Sequence, residues 1–477
     1  MNRRVFREYD IRGVADADLD DATVRAIGMA IGTRAGAKGN EPSAGSAGLT
    51  PGEGIVVVGR DCRVTSPRLF AALTDGIRVH AEVIDIGVVP SPVLYFAAHH
   101  LSPAAAVMIT GSHNPPEDNG FKLMLGTQTL YGEAIASLRD DVEKLVTQPA
   151  ETADPHPVKP MHSRDMIGTY GQYVQSQLQL GGRKFKLVLD AGNGAGGPTA
   201  VGLYRRLGFE VVPLYCDLDG TFPNHHPDPT QPGNLSDLIA VVKQENAELG
   251  IALDGDADRI GVVDGTGRIL WGDQILIILG KALLQEVPGA KLVAEVKCSQ
   301  ATFDALEQAG GSVEMWKVGH SLIKARMKET GALLAGEMSG HIFFAHRWLG
   351  FDDGIYAGAR LLELLSQSDV SLTQRAAELP VAINTPELRV DCPDEDKLAV
   401  VASVTASLRA DPAVTKIVDI DGVRASFEGG WGLVRASNTQ PVLVMRCEAS
   451  SEERLVEIRT LIEKHIAAAT ASVDTLS

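Results

Sequence analysis

Apolar and polar positions follow two alternating rhythms along the chain, and these predict strands and helices in turn. Through roughly the first 380 residues, short runs of consecutive apolar residues are separated by segments with the 3.6-residue period of amphipathic helices. Continuous apolar runs are typical of buried strands, and their alternation with helices is typical of βαβ units around a parallel or mixed sheet. We therefore predict an α/β fold for this part of the chain.

Three stretches of the chain share this layout, which predicts three α/β domains of similar design. The predicted strands are Ile55–Val58, Glu82–Ile86 and Ala105–Ile109, then Lys186–Leu189, Glu210–Leu214 and Leu249–Leu253, then Leu292–Val296, Ser312–Trp316 and Ala332–Leu334. From Val381 the pattern becomes that of a small α+β domain with an antiparallel sheet. Its predicted elements are strands at Leu388–Val390, Lys416–Ile420, Val423–Phe427 and Val442–Arg446, a helix near Glu452–Ala468 and a frayed tail.

The length of 477 residues exceeds what one hydrophobic core supports. We place domain boundaries so that the four domains cover residues 1–157, 158–267, 268–380 and 381–477. Ala35–Gly54, rich in Gly, Ala, Ser and Pro, is predicted to be a flexible surface insertion, and the proline-rich Thr147–Pro160 is predicted to be a linker.

Charge and cysteine usage exclude several classes of protein. A formal net charge of −17 argues against a nucleic-acid or anionic-membrane partner, so an anionic substrate would need a local cluster of Arg and Lys. The five cysteines are scattered without a Cys-x-x-Cys pair, which disfavours a disulfide framework or a structural zinc site. Without a signal-peptide pattern or a bilayer-length apolar run, we expect a cytoplasmic protein with no membrane partner.

Candidate chemistry begins at Thr110–Pro115, directly after the apolar run that ends at Ile109. Ser112, beside His113, is placed at a strand end as a nucleophile or a phosphate carrier would be, although an ordinary polar turn also fits. A second run, Asp254–Arg259, also follows a strand, and its carboxylates at Asp254, Asp256 and Asp258 could aim three hard oxygen ligands at one Mg²⁺. An acidic turn would be costly without a cation, because the carboxylates repel one another.

Two further loops suit a phosphorylated sugar. Glu337, Ser339 and His341, on a glycine-bracketed loop, offer hydrogen-bonding groups for a polyol and a candidate proton carrier. Arg435–Thr439, predicted to lie between two strands, combines a guanidinium with the side chains of Ser437, Asn438 and Thr439, which can cradle a phosphate. Arg12, Lys122 and Lys297 add positive charge. The glycine run Gly192–Gly197 lacks a dinucleotide fingerprint, and we interpret it as a tight strand-to-helix turn.

Taken in order, these motifs resemble those of the α-D-phosphohexomutases, most closely the bacterial phosphomannomutase/phosphoglucomutase group. The resemblance rests on Thr110–Pro115, Asp254–Arg259, Gly336–His341 and Arg435–Thr439, one per domain, with Tyr9–Gly13 in addition. It implies four domains around a central cleft, a phosphoserine at Ser112 and Mg²⁺ held by Ser112, Asp254, Asp256 and Asp258. It further implies that Glu337 and Ser339 contact sugar hydroxyls and that Arg435, Ser437, Asn438 and Thr439 bind the distant phosphate. The other positions matching the family are Tyr9, Arg12, Lys122, Arg259, Lys297, Gly319, His320 and His341.

The resemblance implies interconversion of hexose 1-phosphate and hexose 6-phosphate, with mannose and glucose phosphates as substrates. Phosphoserine would donate its phosphoryl group, a bound 1,6-bisphosphate would reorient, and the other phosphate would return to Ser112. Hexose 1,6-bisphosphate would act as activator, and Lys122, His113 or His341 as acid or base with Arg259 nearby. We expect a monomer, with a dimer as the alternative.

Three other functions stay open. A phosphoglucosamine mutase usually carries Gln where this chain has Met338. A serine-phosphate sugar phosphatase could use the same metal loop, and a non-catalytic phosphosugar-binding protein could use the same phosphate loop. Within the family, Ala257 stands where glycine is common.

Overall fold

A computed structural model describes residues 1–37, 54–147, 158–437 and 440–474. Residues 38–53 of the predicted insertion, residues 148–157 of the predicted linker, and Asn438 and Thr439 lie outside the described residues. The chain divides into two compact units, one formed by Met1–Ala282 with Ser339–Ala377 and the other by Leu283–Met338 with Glu378–Ser477. Among the described residues, no helix has both the length and the apolar character needed to cross a membrane.

The first sheet is mixed, as the alternating pattern predicts, and its strand order is β1-β5-β4-β2-β3-β7, with β6 beside β5. Its strands are β1 Ile11–Val14, β2 Ile55–Arg60, β3 Glu82–Val88, β4 Ala105–Ile109, β5 Asp118–Leu125, β6 Gln128–Thr129 and β7 Met161–Ser163. The helices of this part are α1 Ala15–Asp18, α2 Asp21–Ala37, α3 Ser66–Ile77, α4 Ser91–Leu101 and α5 Glu133–Thr147, after a 3₁₀ turn at Arg3–Val5. Strand β4 is buried at all five positions, which explains its unbroken apolar run.

The second sheet also mixes parallel and antiparallel pairs and has the order β12-β11-β10-β8-β9. Its strands are β8 Lys186–Asp190, β9 Glu210–Leu214, β10 Leu249–Leu253, β11 Ile260–Asp264 and β12 Ile269–Leu270. Its helices are α6 Ile167–Gln177, α7 Gly197–Arg206 and α8 Ser236–Gln244, with a 3₁₀ turn at Pro232–Leu235. Because β10 and β11 are antiparallel neighbours, the aspartate run between them is a hairpin loop.

The next part of the chain supplies a parallel sheet to the second unit and then returns to the first unit. Strand β13 pairs in parallel with β14 and β15. The elements are α9 Gly272–Glu286, β13 Lys291–Glu295, α10 Gln300–Gln308, β14 Ser312–Trp316, α11 His320–Thr330, β15 Leu334–Gly336, β16 Ile342–Phe344, α12 Gly354–Ser366 and α13 Leu372–Ala377. The prediction of a strand at Ala332–Leu334 was wrong by two residues, because the buried pairing runs from Leu334 to Gly336.

The last part of the second unit is an antiparallel sheet of order β17-β22-β21-β20-β19, with β18 beside β22. Its elements are β17 Ile383–Asn384, β18 Leu388–Asp391, α14 Lys397–Ala410, β19 Val414–Val418, β20 Val423–Phe427, β21 Gly430–Ala436, β22 Val442–Ala449 and α15 Glu452–Asp474. The predicted frayed tail after Ala468 was wrong, because α15 continues to Asp474 and buries Ala469 in the core. Arg435 lies in β21 itself, not between two strands as predicted.

Candidate active site

The Ser112 loop begins where β4 ends, and it holds its serine in an unusual backbone conformation. Ser112 has φ +49°, in the left-handed region that costs a non-glycine residue about 1 kcal/mol. Its N–H donates to Thr110 Oγ1 at 2.8 Å. Its hydroxyl donates to Asp254 Oδ2 at 2.8 Å and lies 3.1 Å from His113 Nδ1. The buried serine therefore faces the aspartate loop of the neighbouring sheet directly.

The aspartate loop gathers Asp254, Asp256 and Asp258 with each side chain fully buried, and one carboxylate oxygen from each lies within 4.8 Å of the others. Burial raises the pKa of Asp254 well above its usual value, and the charges of Asp258 and Asp256 raise it further. Burial would raise the pKa of Asp258 too, but Lys122 and His341 hold it well below its usual value. The loop therefore combines a carboxylate that stays ionised away from water, Asp258, with one whose ionisation burial and its neighbours oppose, Asp254.

The donor set fits a hard divalent cation. Carboxylate oxygens are the ligands Mg²⁺ prefers in proteins. Oδ1 of Asp256 is buried and, within the described residues, has no hydrogen-bond partner, which leaves one carboxylate oxygen available to a cation. A second group of potential ligands, Asp258, His341 and Asp352, shares Asp258 with the first.

Lys122 supplies the nearest positive charge. The side chain projects from β5, and its Nζ lies 2.6 Å from Asp256 Oδ2 and 2.5 Å from Asp258 Oδ2. Burial by itself would lower the pKa of Lys122, but Asp256 and Asp258 raise it well above its usual value. The ammonium therefore stays charged and balances part of the carboxylate cluster.

Arg259 and His341 adjoin the other side of the aspartate loop. The backbone N–H of Arg259 donates to Asp254 Oδ1 at 3.1 Å, and its Nε donates to His341 Nε2 at 3.2 Å. His341 Nε2 also lies 3.3 Å from Asp258 Oδ1, and its Nδ1 lies 3.1 Å from Ser339 Oγ. These polar contacts thus link the predicted residues Ser339, His341 and Arg259 to the aspartate loop.

His113 and Arg12 complete the surroundings of Ser112. Packing around His113 lowers its pKa well below the usual histidine value, and the positive charges of Arg259 and Arg12 add to the effect. A neutral imidazole can accept the serine proton. Arg12 pairs with Asp10 at 2.6 Å and donates to the Asn114 side chain at 3.0 Å, so it supports the same loop. Tyr9, just before β1, is buried.

The aspartate loop is fitted to its neighbours through glycines. A Cβ on Gly255 would lie 2.3 Å from the carbonyl oxygen of Ser112, and a Cβ on Gly194 would lie 2.6 Å from the carbonyl oxygen of Gly255. A Cβ on Gly196 would lie 2.6 Å from that of Ala257. The glycine run is the strand-to-helix turn that the sequence predicts. Its lack of side chains also lets the aspartate loop pack directly against this turn. Ala257 has φ +60°, a conformation that favours glycine, so the alanine adds backbone strain as well as a methyl group.

In the second unit, three of the predicted sugar and phosphate residues, Glu337, Arg435 and Ser437, take part in polar contacts within the unit. Glu337 Oε1 accepts the N–H of Gly319 at 2.8 Å, which fixes the start of α11 at His320. Asp421 accepts from Val318 N at 2.9 Å and from Arg435 Nε at 3.1 Å. The carbonyl oxygen of Ser437 accepts from Lys397 Nζ at 2.6 Å.

Lys297 lies between two carboxylates of the same unit. Its Nζ is 3.2 Å from Glu387 and 3.7 Å from Glu295. Burial raises the pKa of Glu295 to about 7, although Lys297 opposes the shift. Coulombic interactions with Lys297, followed by a direct hydrogen bond, lower the pKa of Glu387 against the opposing effect of burial. Glu295 also accepts the Met338 N–H at 2.8 Å, which anchors the loop that carries Glu337.

Sequence reasoning missed several residues that support this site. Ser91, at the start of α4, donates to Asp256 Oδ2 at 2.5 Å through its hydroxyl and to the Asp256 carbonyl through its N–H. Asp352 and Glu295 were also missed. Ser91 and Glu295 each lie at a strand end or a helix start, the same positional signal that singled out Ser112.

Comparison with known proteins places matches along nearly the whole chain. The chain matches four domain families of phosphoglucomutase/phosphomannomutase. These are alpha/beta/alpha domain I over residues 3–148, domain II over 168–267, domain III over 271–382, and the C-terminal domain over 387–465. A phosphomannomutase/phosphoglucomutase of Pseudomonas aeruginosa is 44% identical over 470 residues, 98% of this chain and 96% of the relative. A phosphoglucomutase of Neisseria meningitidis is 44% identical over 458 residues, 96% of this chain and 95% of the relative.

A solved structure shows the same likeness in three dimensions. The phosphoglucomutase/phosphomannomutase family protein of Burkholderia thailandensis is 40% identical, with a TM-score of 0.87, and the match covers 98% of each chain. A putative phosphomannomutase from Thermus thermophilus is 25% identical, with a TM-score of 0.78 over 96% of this chain and 98% of that one.

Proposed function

Because this chain belongs to the phosphoglucomutase/phosphomannomutase family, we propose that it interconverts the 1-phosphates and 6-phosphates of mannose and glucose. The observation that carries the proposal is the hydrogen bond of 2.8 Å between the buried Ser112 hydroxyl and Asp254. It sets a potential phosphoryl carrier against a cluster of carboxylates suited to a divalent cation. A simple sugar-binding protein would have no need of that arrangement.

Ser112 is the proposed phosphoryl carrier. In the forward half-reaction the bond between the phosphorus and Ser112 Oγ breaks, and a bond forms between that phosphorus and a free hydroxyl oxygen of the hexose monophosphate. The hydroxyl proton passes to a base of the protein, the released Ser112 Oγ takes up a proton from an acid of the protein, and the product is the 1,6-bisphosphate. After the bisphosphate reorients, its other phosphoryl group returns to Ser112. Added hexose 1,6-bisphosphate would restore enzyme that has lost its phosphate.

Mg²⁺ is the proposed cofactor, held by Asp254, Asp256 and Asp258 with a phosphate oxygen on Ser112. When bound, it would offset negative charge on the transferring group. The chain's own residues orient the reactants around it. Ser91 fixes the carboxylate of Asp256, and the backbone N–H of Arg259 fixes that of Asp254.

Proton transfer is assigned to Lys122, His113 and His341, the three candidates close to the transferring group. The lowered pKa of His113 keeps its imidazole neutral, which suits a base. Lys122 carries a proton, but its raised pKa opposes release of that proton while Asp256 and Asp258 face the ammonium. Arg259 adds positive charge near the transferring group. Kinetic comparison of variants at Lys122, His113 and His341 would show which of them acts as acid and which as base.

Substrate binding is assigned to the residues that match the family motifs. Glu337 and Ser339 would accept and donate hydrogen bonds to sugar hydroxyls. The proposed contacts for the remaining groups and for the distant phosphate are Tyr9, Arg12, Lys297, Gly319, His320, Arg435, Ser437, Asn438 and Thr439. We further propose that the four domains follow the boundaries 1–157, 158–267, 268–380 and 381–477, and that the enzyme acts as a cytoplasmic monomer.

A coupled assay tests the function. Mannose 1-phosphate, glucose 1-phosphate and glucosamine 1-phosphate are supplied separately, with and without catalytic glucose 1,6-bisphosphate, and 6-phosphate formation is followed. We expect turnover of the mannose and glucose compounds and stimulation by the bisphosphate. Faster turnover of the glucosamine compound, or steady release of inorganic phosphate, would contradict the proposal.

A further inference from the structure

Arg63 lies beneath the Ser112 loop with its side chain fully buried. Its four terminal N–H groups are directed to four backbone carbonyl oxygens, those of Ser112 at 2.7 Å, Asn114 at 2.7 Å, Pro115 at 2.5 Å and Asp118 at 2.9 Å. One guanidinium therefore gathers the carbonyl groups of the whole loop around a single point. Only arginine offers so many donors in a rigid plane.

Asp61 holds the guanidinium in place from the other side. Its Oδ2 lies 3.2 Å from Arg63 Nε and accepts the Gly111 N–H at 3.3 Å. Its Oδ1 accepts the Arg63 N–H at 3.0 Å and the Ser66 hydroxyl at 2.5 Å. The ring of Phe222 lies 5.0 Å from the guanidinium carbon. Charge, hydrogen bonds and packing thus leave Arg63 one orientation.

The backbone of the Ser112 loop is strained, so it needs contacts that keep it in place. Ser112 is in the left-handed region, which serine does not favour, and its carbonyl oxygen is confined between Arg63 and the backbone of Gly255. The direction of that carbonyl and the φ of Ser112 fix the Cα–Cβ bond of the serine, about which the χ1 rotamer then directs the hydroxyl. The hydroxyl points at Asp254.

We propose that Arg63 is a positioning residue that sets the geometry of phosphoryl transfer by fixing the carbonyl groups of the Ser112 loop. It does not contact the reacting atoms. It acts through the backbone, keeping Ser112 Oγ aligned with the metal loop in both its free and its phosphorylated form. This inference rests on the proposed function for its kinetic consequence, but not for its structural one.

The variant R63K tests the proposal because lysine keeps the charge and loses the planar set of donors. The matched control is R360K, since Arg360 is also a buried arginine of the first unit and bonds a backbone carbonyl, that of His346, but not one of the Ser112 loop. Both variants are compared with the parent after thermal unfolding has shown the folded fraction of each. If R63K does not fold, D61N takes its place, because it removes the ionic partner of Arg63.

The first measurement is single-turnover discharge of the phosphoserine enzyme to glucose 6-phosphate. Per folded molecule, R63K is expected to lower the rate at saturating sugar phosphate by about 10²-fold, the cost of a small misplacement of a reacting group, with KM unchanged. R360K is expected to keep the parent rate. A rate for R63K equal to that of R360K would overturn the proposal.

The second measurement is hydrogen–deuterium exchange of residues 110–119, read by mass spectrometry, and it needs no activity. R63K is expected to speed exchange in this segment, and R360K is expected to leave it as in the parent. Unchanged exchange in R63K would overturn the proposal. A parent enzyme that never acquires phosphate on Ser112 from glucose 1,6-bisphosphate would instead contradict the proposed function, and the exchange result would still decide the role of Arg63.

Discussion

The ammonium of Lys122 lies 2.6 Å from a carboxylate oxygen of Asp256, one of the three aspartates whose carboxylates could hold a metal ion. The same ammonium also contacts Asp258. Lys122 therefore balances the charge of the carboxylates, and we expect the same ammonium to weaken their attraction for a metal ion.

Replacing Lys122 with methionine should separate these two effects. We expect K122M to bind Mg²⁺ more tightly, because a positive charge beside the carboxylates is gone, while kcat falls by about 10²- to 10⁴-fold through loss of the proposed part of Lys122 in proton transfer. Calorimetric titration and the coupled assay measure the two quantities. K186M is the control, since Lys186 pairs with Glu245 and Glu210 away from the loop. Weaker Mg²⁺ binding in K122M would contradict this expected effect of the ammonium.

Replacing Ser112 with alanine should abolish mutase turnover and leave the fold intact. The change removes only the hydroxyl that donates to Asp254, and alanine remains compatible with the buried loop. Intact-mass measurement after incubation with glucose 1,6-bisphosphate should show one added phosphoryl group on the parent and none on S112A. A phosphorylated S112A would place the carrier on another residue.

Stability should depend on pH through Glu295. Because burial raises its folded pKa to about 7, above an ordinary value of 4.5, the protonated carboxyl favours the fold, and that stability is lost as pH rises between these values. In E295Q the amide cannot ionise, so relative to the parent it should gain up to about 3 kcal/mol in unfolding free energy by pH 8. Urea unfolding from pH 4 to pH 8 measures this.

The control for this prediction has the opposite sign. Lys297 lowers the folded pKa of Glu387, so its ionised carboxylate stabilises the fold above the ordinary glutamate pKa, and that stability is lost on acidification. E387Q should therefore be less stable than the parent near pH 7 and approach it as pH falls. Parallel pH profiles for E295Q and E387Q would show that burial does not control Glu295.

A methyl group on Gly196 should loosen the aspartate loop. The added Cβ would lie 2.6 Å from Ala257 Cβ and 3.1 Å from Leu253 Cδ1, so the loop must shift. We expect G196A to lose about 1–3 kcal/mol of stability and to bind Mg²⁺ more weakly. G202A, in α7 with no atom within 4 Å of its added Cβ among the described residues, should instead gain stability by about 0.5–1 kcal/mol. Equal metal affinities in G196A and G202A would contradict the idea that the close packing of Gly196 on Ala257 shapes the aspartate loop.

The sequence pattern predicted the strands that present Ser112 and Asp254, because both strands are buried along their whole length and read as unbroken apolar runs. It did not predict β21. Gly430 and Gly432 interrupt the apolar alternation there, and they do so because a Cβ on Gly432 would lie 2.7 Å from Ile462 of α15. Close packing of α15 on the sheet requires glycine in β21, and glycine breaks the alternation of apolar and polar residues by which a strand is recognised.

The supporting residues escaped prediction for a different reason. Arg63 bonds to backbone carbonyls, whose directions depend on the fold and leave no trace in side-chain type. Ser91 reaches Asp256 across 165 positions of sequence. The family resemblance predicts which residues react, because they form short contiguous motifs, but the residues that hold those in place could be found only from coordinates.

The close approach of Gly255 to the Ser112 carbonyl has a consequence for how this chemistry can be inherited or transplanted. Ser112 follows a strand of the first sheet, while the backbone that confines its carbonyl oxygen and the carboxylate that accepts its hydrogen bond follow a strand of the second. A fragment ending near Thr147 would keep the serine and lose both. The smallest piece that keeps the contact between Ser112 and Asp254 is therefore a pair of sheets, and recombination between homologous genes should preserve that contact only when the crossover spares the pair.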